Sequence, residues 1–259
     1  MDFASELQDL AKAAGASVVG IASVDRFEGA PRGHHPKELL PGAQSVISFG
    51  IALLSRTLEF RELLKGSPFF PEEIRLDALQ RLFYGTSGYD IVNDRLNQVA
   101  LTLANHLEAR GFPAVFFPAT YGHNVPERLA WIPGMFSQRH AAVRAGLGEF
   151  GLNNVVVTPQ HGPRIRFNSV ITSALLPATP LLTEPLCRGE ECGVCVEACP
   201  AKAITTREDG SPDAPALLPL TQTDWRSCRS VRGEVFCQGL CLRVCPVGRQ
   251  SRPSCTQTA

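Results

Sequence analysis

All nine cysteines of this 259-residue chain lie between Cys187 and Cys255, so the first 186 residues contain no thiol. Eight of the nine form two runs, each ending in Cys-Pro. The first is Cys187-x4-Cys192-x2-Cys195-x3-Cys199-Pro200. The second is Cys228-x8-Cys237-x3-Cys241-x3-Cys245-Pro246. Disulfide staples belong to small secreted domains, whereas this chain has a long thiol-free part. Structural zinc prefers closed four-ligand sets, commonly with paired C-x2-C knuckles. Neither pattern is present. Cys255 falls outside both runs, in the polar stretch SRPSCTQTA, and reads as a spare thiol.

A cubane [4Fe–4S] cluster needs four thiolates at the corners of a tetrahedron, and short spacings let one loop supply three. The cysteine before proline starts a departing segment; in two-cluster ferredoxins it ligates the other cluster. On that rule cluster I takes Cys187, Cys192 and Cys195 with Cys245, and cluster II takes Cys228, Cys237 and Cys241 with Cys199. Both runs depart from C-x2-C-x2-C-x3-C-P. Gly189 stands where a cysteine is usual, and the second run sets its first ligand far upstream and widens one gap to x3. Two clusters placed close together make a one-electron wire.

A wire alone does not need the preceding two-thirds of the chain, which is therefore expected to hold a redox centre or substrate. Hydrophobic residues make up 44%, enough for a sizeable core. Lys+Arg and Asp+Glu balance at 25 each, which excludes a strongly basic nucleic-acid footprint. The N-terminus reads as an amphipathic helix rather than a signal peptide, and no apolar run reaches membrane-spanning length. The expectation is a soluble, cytoplasmic protein without a membrane partner.

Helical and extended patterns alternate along this part. Residues 3–14 read as a helix closed by Gly15; 17–23 and 45–53 as buried strands; 57–83 as mostly helical. The clearest helix is 90–110, with Ile91, Leu96, Val99, Ala100, Leu103, Ala104 and Leu107 on one face. A strand at 113–117, a helix at 138–145 and strands at 154–158 and 164–172 follow. The glycine-rich dinucleotide fingerprint is missing from the first strand–helix junction, so the pattern suits an α+β sandwich rather than a βαβ series. The linker ALLPATPLLTEPL sets the boundary, giving an α+β cofactor and substrate domain over 1–180 and a ferredoxin-like module over 181–259.

Residues 138–172, QRHAAVRAGLGEFGLNNVVVTPQHGPRIRFNSVIT, resemble a segment of epoxyqueuosine reductases and related reductive dehalogenases. There an A-x-x-AGLG-x-x-G-x-N helix and turn precedes two strands and then a double-cluster module. LLPGAQSVISFG at 39–50 resembles the same family's second strand, and the similarity runs from about Leu39 to Gly248. The resemblance implies a nitroreductase-like, cobalamin-binding sandwich followed by a bacterial ferredoxin-like double [4Fe–4S] module. It implies that Ala145, Gly146, Leu147, Gly148, Gly151, Asn153 and Asn154 lie against the corrin, where glycines would let backbone approach a flat ligand. Plain helix termination at Gly146 and Gly148 is the alternative.

Two departures bear on the substrate. The family's proton-donating aspartate stands about thirteen residues before AGLG, where this chain has Ile132, and no acid lies between Glu127 and Glu149. Those enzymes also continue into a helical-repeat region that holds tRNA, whereas this sequence stops fourteen residues after Cys245. With zero net charge, tRNA is not the expected substrate. Replacement proton donors are His140, Tyr121 and His123, with Tyr84, Tyr89 and Asp90 behind them. A solitary histidine or tyrosine is more often a satisfied structural residue. His34 and His35 read as a solvated loop pair or as ligands, and Arg144, Arg164 and Arg166 as corrinoid-binding groups or exposed ion pairs.

The expected activity is an iron–sulfur, cobalamin-dependent reductase. It would be fed by an external donor of ferredoxin or flavodoxin type and would act on a small molecule or a corrinoid protein. The alternatives are an electron-transfer protein serving a partner enzyme, and a reductive dehalogenase.

Overall fold

The computed structural model describes residues 2–59, 79, 82–119, 134–206, 217–224, 226–228 and 239–249. Helix α1 (Phe3–Ala13) starts where the Asp2 carboxylate accepts the Ser5 N–H at 2.7 Å, and it buries Leu7 and Ala11 completely. Strand β1 (Val18–Ser23) follows. The one-turn helix α2 (Pro36–Leu39) is capped by His35, whose Nδ1 accepts the Lys37 N–H, while the Glu38 carboxylate returns to the N–H groups of His35 and Gly33. Strand β2 (Ser45–Ala52) and the short α3 (Ser55–Leu58) come next. Most of 57–83, read as helical, lies outside the described residues.

Helix α4 (Ile91–Glu108) turns Leu96, Val99, Ala100, Leu103 and Leu107 inward, all fully buried. Ile91 is 58% exposed and does not join that face, because the chain enters through a π-turn over 86–90 that rotates the first residue outward. Strand β3 (Ala114–Phe116), helix α5 (Gln138–Arg144), the short strands β4 (Glu149–Phe150) and β5 (Val156–Val157), and strand β6 (Ile165–Thr172) complete the larger part. The strand read at 154–158 shortens to two residues, since a turn over 151–154 with Asn154 at φ +57° takes up its start.

The main sheet runs β1-β2-β6-β3 and is antiparallel throughout, with Ile47 opposite Ile21 and Val170. Side chains alternate across it. Ile21, Ile47, Phe49 and Val170 pack on α1 and α4. Ala22, Val46, Phe167 and Ile171 face α5 together with Phe136 and Phe150. The result is three layers with a core on each side of one sheet. Small residues let α5 lie close to it. A Cβ on Gly20 would stand 2.3 Å from the Ala145 carbonyl oxygen, so β1 can pass the end of α5 only with glycine there.

The segment after β6 covers the free edge of β1: Thr179 N–H donates to the Ile21 oxygen at 2.8 Å, and Thr179 Oγ1 accepts the Ile21 N–H at 2.9 Å. The cysteine region then contributes α6 (Val194–Glu197), an antiparallel pair of β7 (Ile204–Thr206) and β8 (Thr221–Thr223), and α7 (Leu240–Val244). The helices α6 and α7 pack together, each begins after a glycine of positive φ, and a Cys-Pro follows each. Among the described residues no helix is long and apolar enough to cross a membrane.

Candidate metal centre

Four thiols drawn from both runs stand around one small cavity. Cys187, Cys192, Cys195 and Cys245 line it with an apolar wall that includes Leu152, Val157, Leu186, Val194, Pro246 and Val247. Among the described residues no three His, Cys, Asp or Glu side chains are grouped tightly enough to share a single ion. Thiols ranged around a space suit a multinuclear cluster instead. Burial, then the neighbouring Cys187 and Cys245, pushes the Cys195 thiol up to about 11, and burial also raises Cys245. Such thiols give up their protons when a metal takes the proton's place. The Leu152 N–H already points at Cys187 Sγ, 3.4 Å away.

The remaining ligands are less fully described. Cys199 Sγ accepts the Ala203 N–H at 3.4 Å, Cys241 sits on α7, and the Cys228 N–H bonds the Asp224 oxygen. Cys237 lies outside the described residues, so the full set with Cys199, Cys228 and Cys241 is not assembled here.

The larger part grips the cysteine region through the stretch 149–164. Glu149, 1% exposed, accepts the N–H groups of Leu186 and Cys187 on Oε1 at 2.7 and 2.5 Å. Thr221 Oγ1 donates to the Leu152 oxygen; Asn153 Nδ2 donates to the Cys241 oxygen and Asn154 Nδ2 to Thr223 Oγ1. Arg164, 9% exposed, donates from Nη1 to the oxygens of Leu242 (3.2 Å) and Cys245 (3.0 Å), and from Nη2 to that of Val247.

The AGLG stretch also has a packing role. Ala145 is 0% and Leu147 8% exposed. A Cβ on Gly146, whose φ is +74°, would stand 2.1 Å from the Pro180 oxygen, and one on Gly148 2.3 Å from the Val157 oxygen. Gly151 is crowded by Val157, while Asn153 and Asn154 face the cysteine region. The motif supplies close backbone approaches that seat α5 and the cluster loops, while Gly146 and Asn154 stay half-buried. Arg164 is buried on carbonyls of the cysteine region rather than in an exposed ion pair.

The accessible space lies on the outer side of α5. A cavity of about 480 Å³ is bounded by Phe27, His34, Phe136, His140, Arg144 and Leu218, among others. Ser137 caps α5 and its Oγ stands 2.7 Å from His140 Nδ1; the ring packs on Phe150 at 4.9 Å. Burial, then Arg144 and Arg139, lowers His140 to about 4, so the imidazole is neutral at physiological pH. Arg144 spans the cavity wall, donating to the Arg26 oxygen at 2.6 Å with its guanidinium over Phe27.

The other sequence candidates do not gather there. His35 is a helix cap and Arg166 lies over Tyr89 while bonding Asn93. Tyr84 packs near Gly239, and Tyr121 and His123 lie outside the described residues. Sequence reading missed Glu149 and Arg164 as holders of the cysteine loops. The available signal was a charge set among strand residues, in GEFG and PRIRF.

No family profile matches the chain. It is 25% identical over 219 residues to epoxyqueuosine reductase of Bacillus cereus, covering 82% of this chain and 50% of that protein. It is 36% identical over 115 residues to tetrachloroethene reductive dehalogenase of Sulfurospirillum multivorans, covering 40% and 22%. The chain thus spans about half the length of the epoxyqueuosine reductases it matches. Among solved structures, an epoxyqueuosine reductase bound to a modified tRNA-Tyr stem loop has a TM-score of 0.56 at 17% identity, over 94% of this chain and 64% of that one. The catabolic reductive dehalogenase NpRdhA has 0.61 at 18%, over 94% and 32%. A further dehalogenase at 0.60 was solved in connection with B12-dependent dehalogenation. These structural likenesses establish the fold.

Proposed function

We propose that this chain, a relative of the epoxyqueuosine reductases and reductive dehalogenases in sequence and fold, is an iron–sulfur oxidoreductase. It passes low-potential electrons through two [4Fe–4S] clusters to a corrinoid and then to a substrate. The observation that carries this reading is the meeting of Cys187, Cys192, Cys195 and Cys245 around one apolar cavity, three from one run and one from the other. The matching shape of α6 and α7, each leading into Cys-Pro, supports a second cluster on Cys199, Cys228, Cys237 and Cys241. In the same reading residues 1–180 are the nitroreductase-like sandwich and 181–259 the ferredoxin-like module.

A bound corrinoid would supply the redox-active metal that side chains lack. Its proposed seat remains the AGLG stretch, where Gly146 and Asn154 are half-buried, and we assign substrate binding to the cavity beside α5. There Phe27 and Phe136 give apolar walls and Arg144 a cation. His140, neutral and tied to Ser137, can relay a proton rather than store one.

The expectation that set tRNA aside is not supported, since a structural relative holds a tRNA stem loop. A cavity of about 480 Å³ suits a small molecule or one extruded nucleoside. Reductive dehalogenation is the second reading, favoured by the dehalogenase matches in both sequence and structure.

Anaerobic reconstitution tests the proposal. Iron analysis should give about eight atoms per chain with a cubane spectrum; a chain without iron sinks the cluster reading. Cobalamin should bind the reconstituted chain; no binding removes the corrinoid. Turnover with reduced viologen on a modified tRNA stem loop and on a halogenated panel separates the two substrate classes.

A further inference from the structure

We propose that Glu149 and Arg164 tune the reduction potential of the cluster on Cys187, Cys192, Cys195 and Cys245 in opposite directions, Glu149 lowering it and Arg164 raising it. This rests on the cluster reading above.

Both residues come from the larger part, both are at least nine-tenths buried, and each reaches the backbone of a cysteine that lines the same cavity. They act at different cysteines. Glu149 holds the N–H of Cys187, where the first run begins; Arg164 holds the oxygen of Cys245, where the second run departs. Burying charge is costly, and apolar residues would pack the same interface at lower cost. A charge kept at such a place acts on whatever charge changes beside it. A four-thiolate cluster is anionic and gains one more negative charge on reduction, so a nearby cation stabilises the reduced form and a nearby anion opposes it.

Hydrogen bonding works in the same sense. N–H groups directed at cluster sulfurs stabilise the reduced state. Glu149 accepts two N–H groups of the ligand loop, from Leu186 and Cys187, so neither is directed at a sulfur, and Leu152 supplies the N–H that reaches Cys187 Sγ. Arg164 engages the carbonyls of Leu242, Cys245 and Val247, turning their negative ends toward itself. Its neighbours Glu59, Arg249 and His161 bear on its charge, but a guanidinium remains protonated in proteins.

The test is an EPR-monitored redox titration of the reconstituted full chain and of Glu149→Gln, Arg164→Gln and Arg164→Lys. Glutamine keeps hydrogen-bonding capacity and removes charge; lysine keeps the charge. One of two midpoints should fall in Arg164→Gln, return toward wild type in Arg164→Lys, and rise in Glu149→Gln, while the other moves less in every variant. Unmoved midpoints with both clusters present would overturn the proposal. So would shifts of the same sign, or loss of one cluster in both Arg164 variants, which would mark a mechanical clamp. Wild-type chain without iron would instead strike the cluster reading itself.

Discussion

The stretches Gly193–Pro200 and Gly239–Pro246 have one local design and two different surroundings. Each opens on a glycine of positive φ, +56° and +74°, runs through a single helical turn with a cysteine at its second position, and ends in Cys-Pro. The first is roofed by Leu152 and Val157, and its Cys195 is buried. In the second, α7 has no buried residue. Local sequence therefore sets where a thiolate points, while the domain packed above it sets solvent access and nearby charge. On the proposed assignment, one loop shape would serve two clusters in unlike surroundings, one of them roofed by Leu152 and Val157.

The largest effect is expected from breaking one motif at a time. Cys195→Ser should remove the enclosed cluster and leave about four irons per chain, and Cys241→Ser should remove the other about four. Each should abolish a different EPR signal. If both substitutions erase the same signal, the two stretches do not serve separate clusters.

A second test holds the backbone constant and changes the surroundings. Gly162 and Gly193 have nearly equal φ, +55° and +56°. An alanine Cβ at Gly162 would stand 2.0 Å from the Val247 oxygen, whereas at Gly193 the nearest atom is 3.5 Å away. Gly193→Ala should cost the left-handed strain alone, about 1–2 kcal/mol. Gly162→Ala adds a backbone clash at the joint with the cysteine region and should cost at least ~3 kcal/mol. Urea midpoints of the two variants decide it; equal losses would mean that the joint yields freely.

The same contrast explains what could be read in advance. The strands at 45–52 and 165–172, the helix at 91–108 and the cap at Gly15 follow from periodicity and local chemistry, which neighbouring residues specify. The thiol spacing was legible for the same reason. The role of Gly146 was not: its partner Pro180 is 34 residues away, and a glycine that admits a ligand reads the same as one that admits a carbonyl. Glu149 and Arg164 were illegible as loop holders because a strand charge reveals its partner only once the cysteine region is docked. Asn154 shows both levels, since a turn requires φ +57°, which asparagine tolerates, and the docked module then uses its amide.

The smallest effect concerns the wall that distinguishes the enclosed motif. His140 packs on Phe150, the neighbour of Glu149 in β4, so charging the ring should loosen that roof and leave the open motif untouched. Its folded value, about 4, lies below the ordinary 6.5. As pH falls below 6.5 the unfolded chain therefore binds the proton first, and stability is lost progressively down to about pH 4, with no further loss from this group below it. A shift of this size corresponds to at most about 3 kcal/mol. Because part of the ring meets solvent, about 1 kcal/mol is the expected loss. The difference between wild type and His140→Gln isolates it from other titrations. Between pH 7 and pH 4.5 that difference should change by this amount, and amide protection factors, taken relative to the intrinsic rate at each pH, should fall at Leu152 and Cys187 in wild type while that at Leu242 does not. An equal fall at both motifs would show that the roof does not discriminate between them.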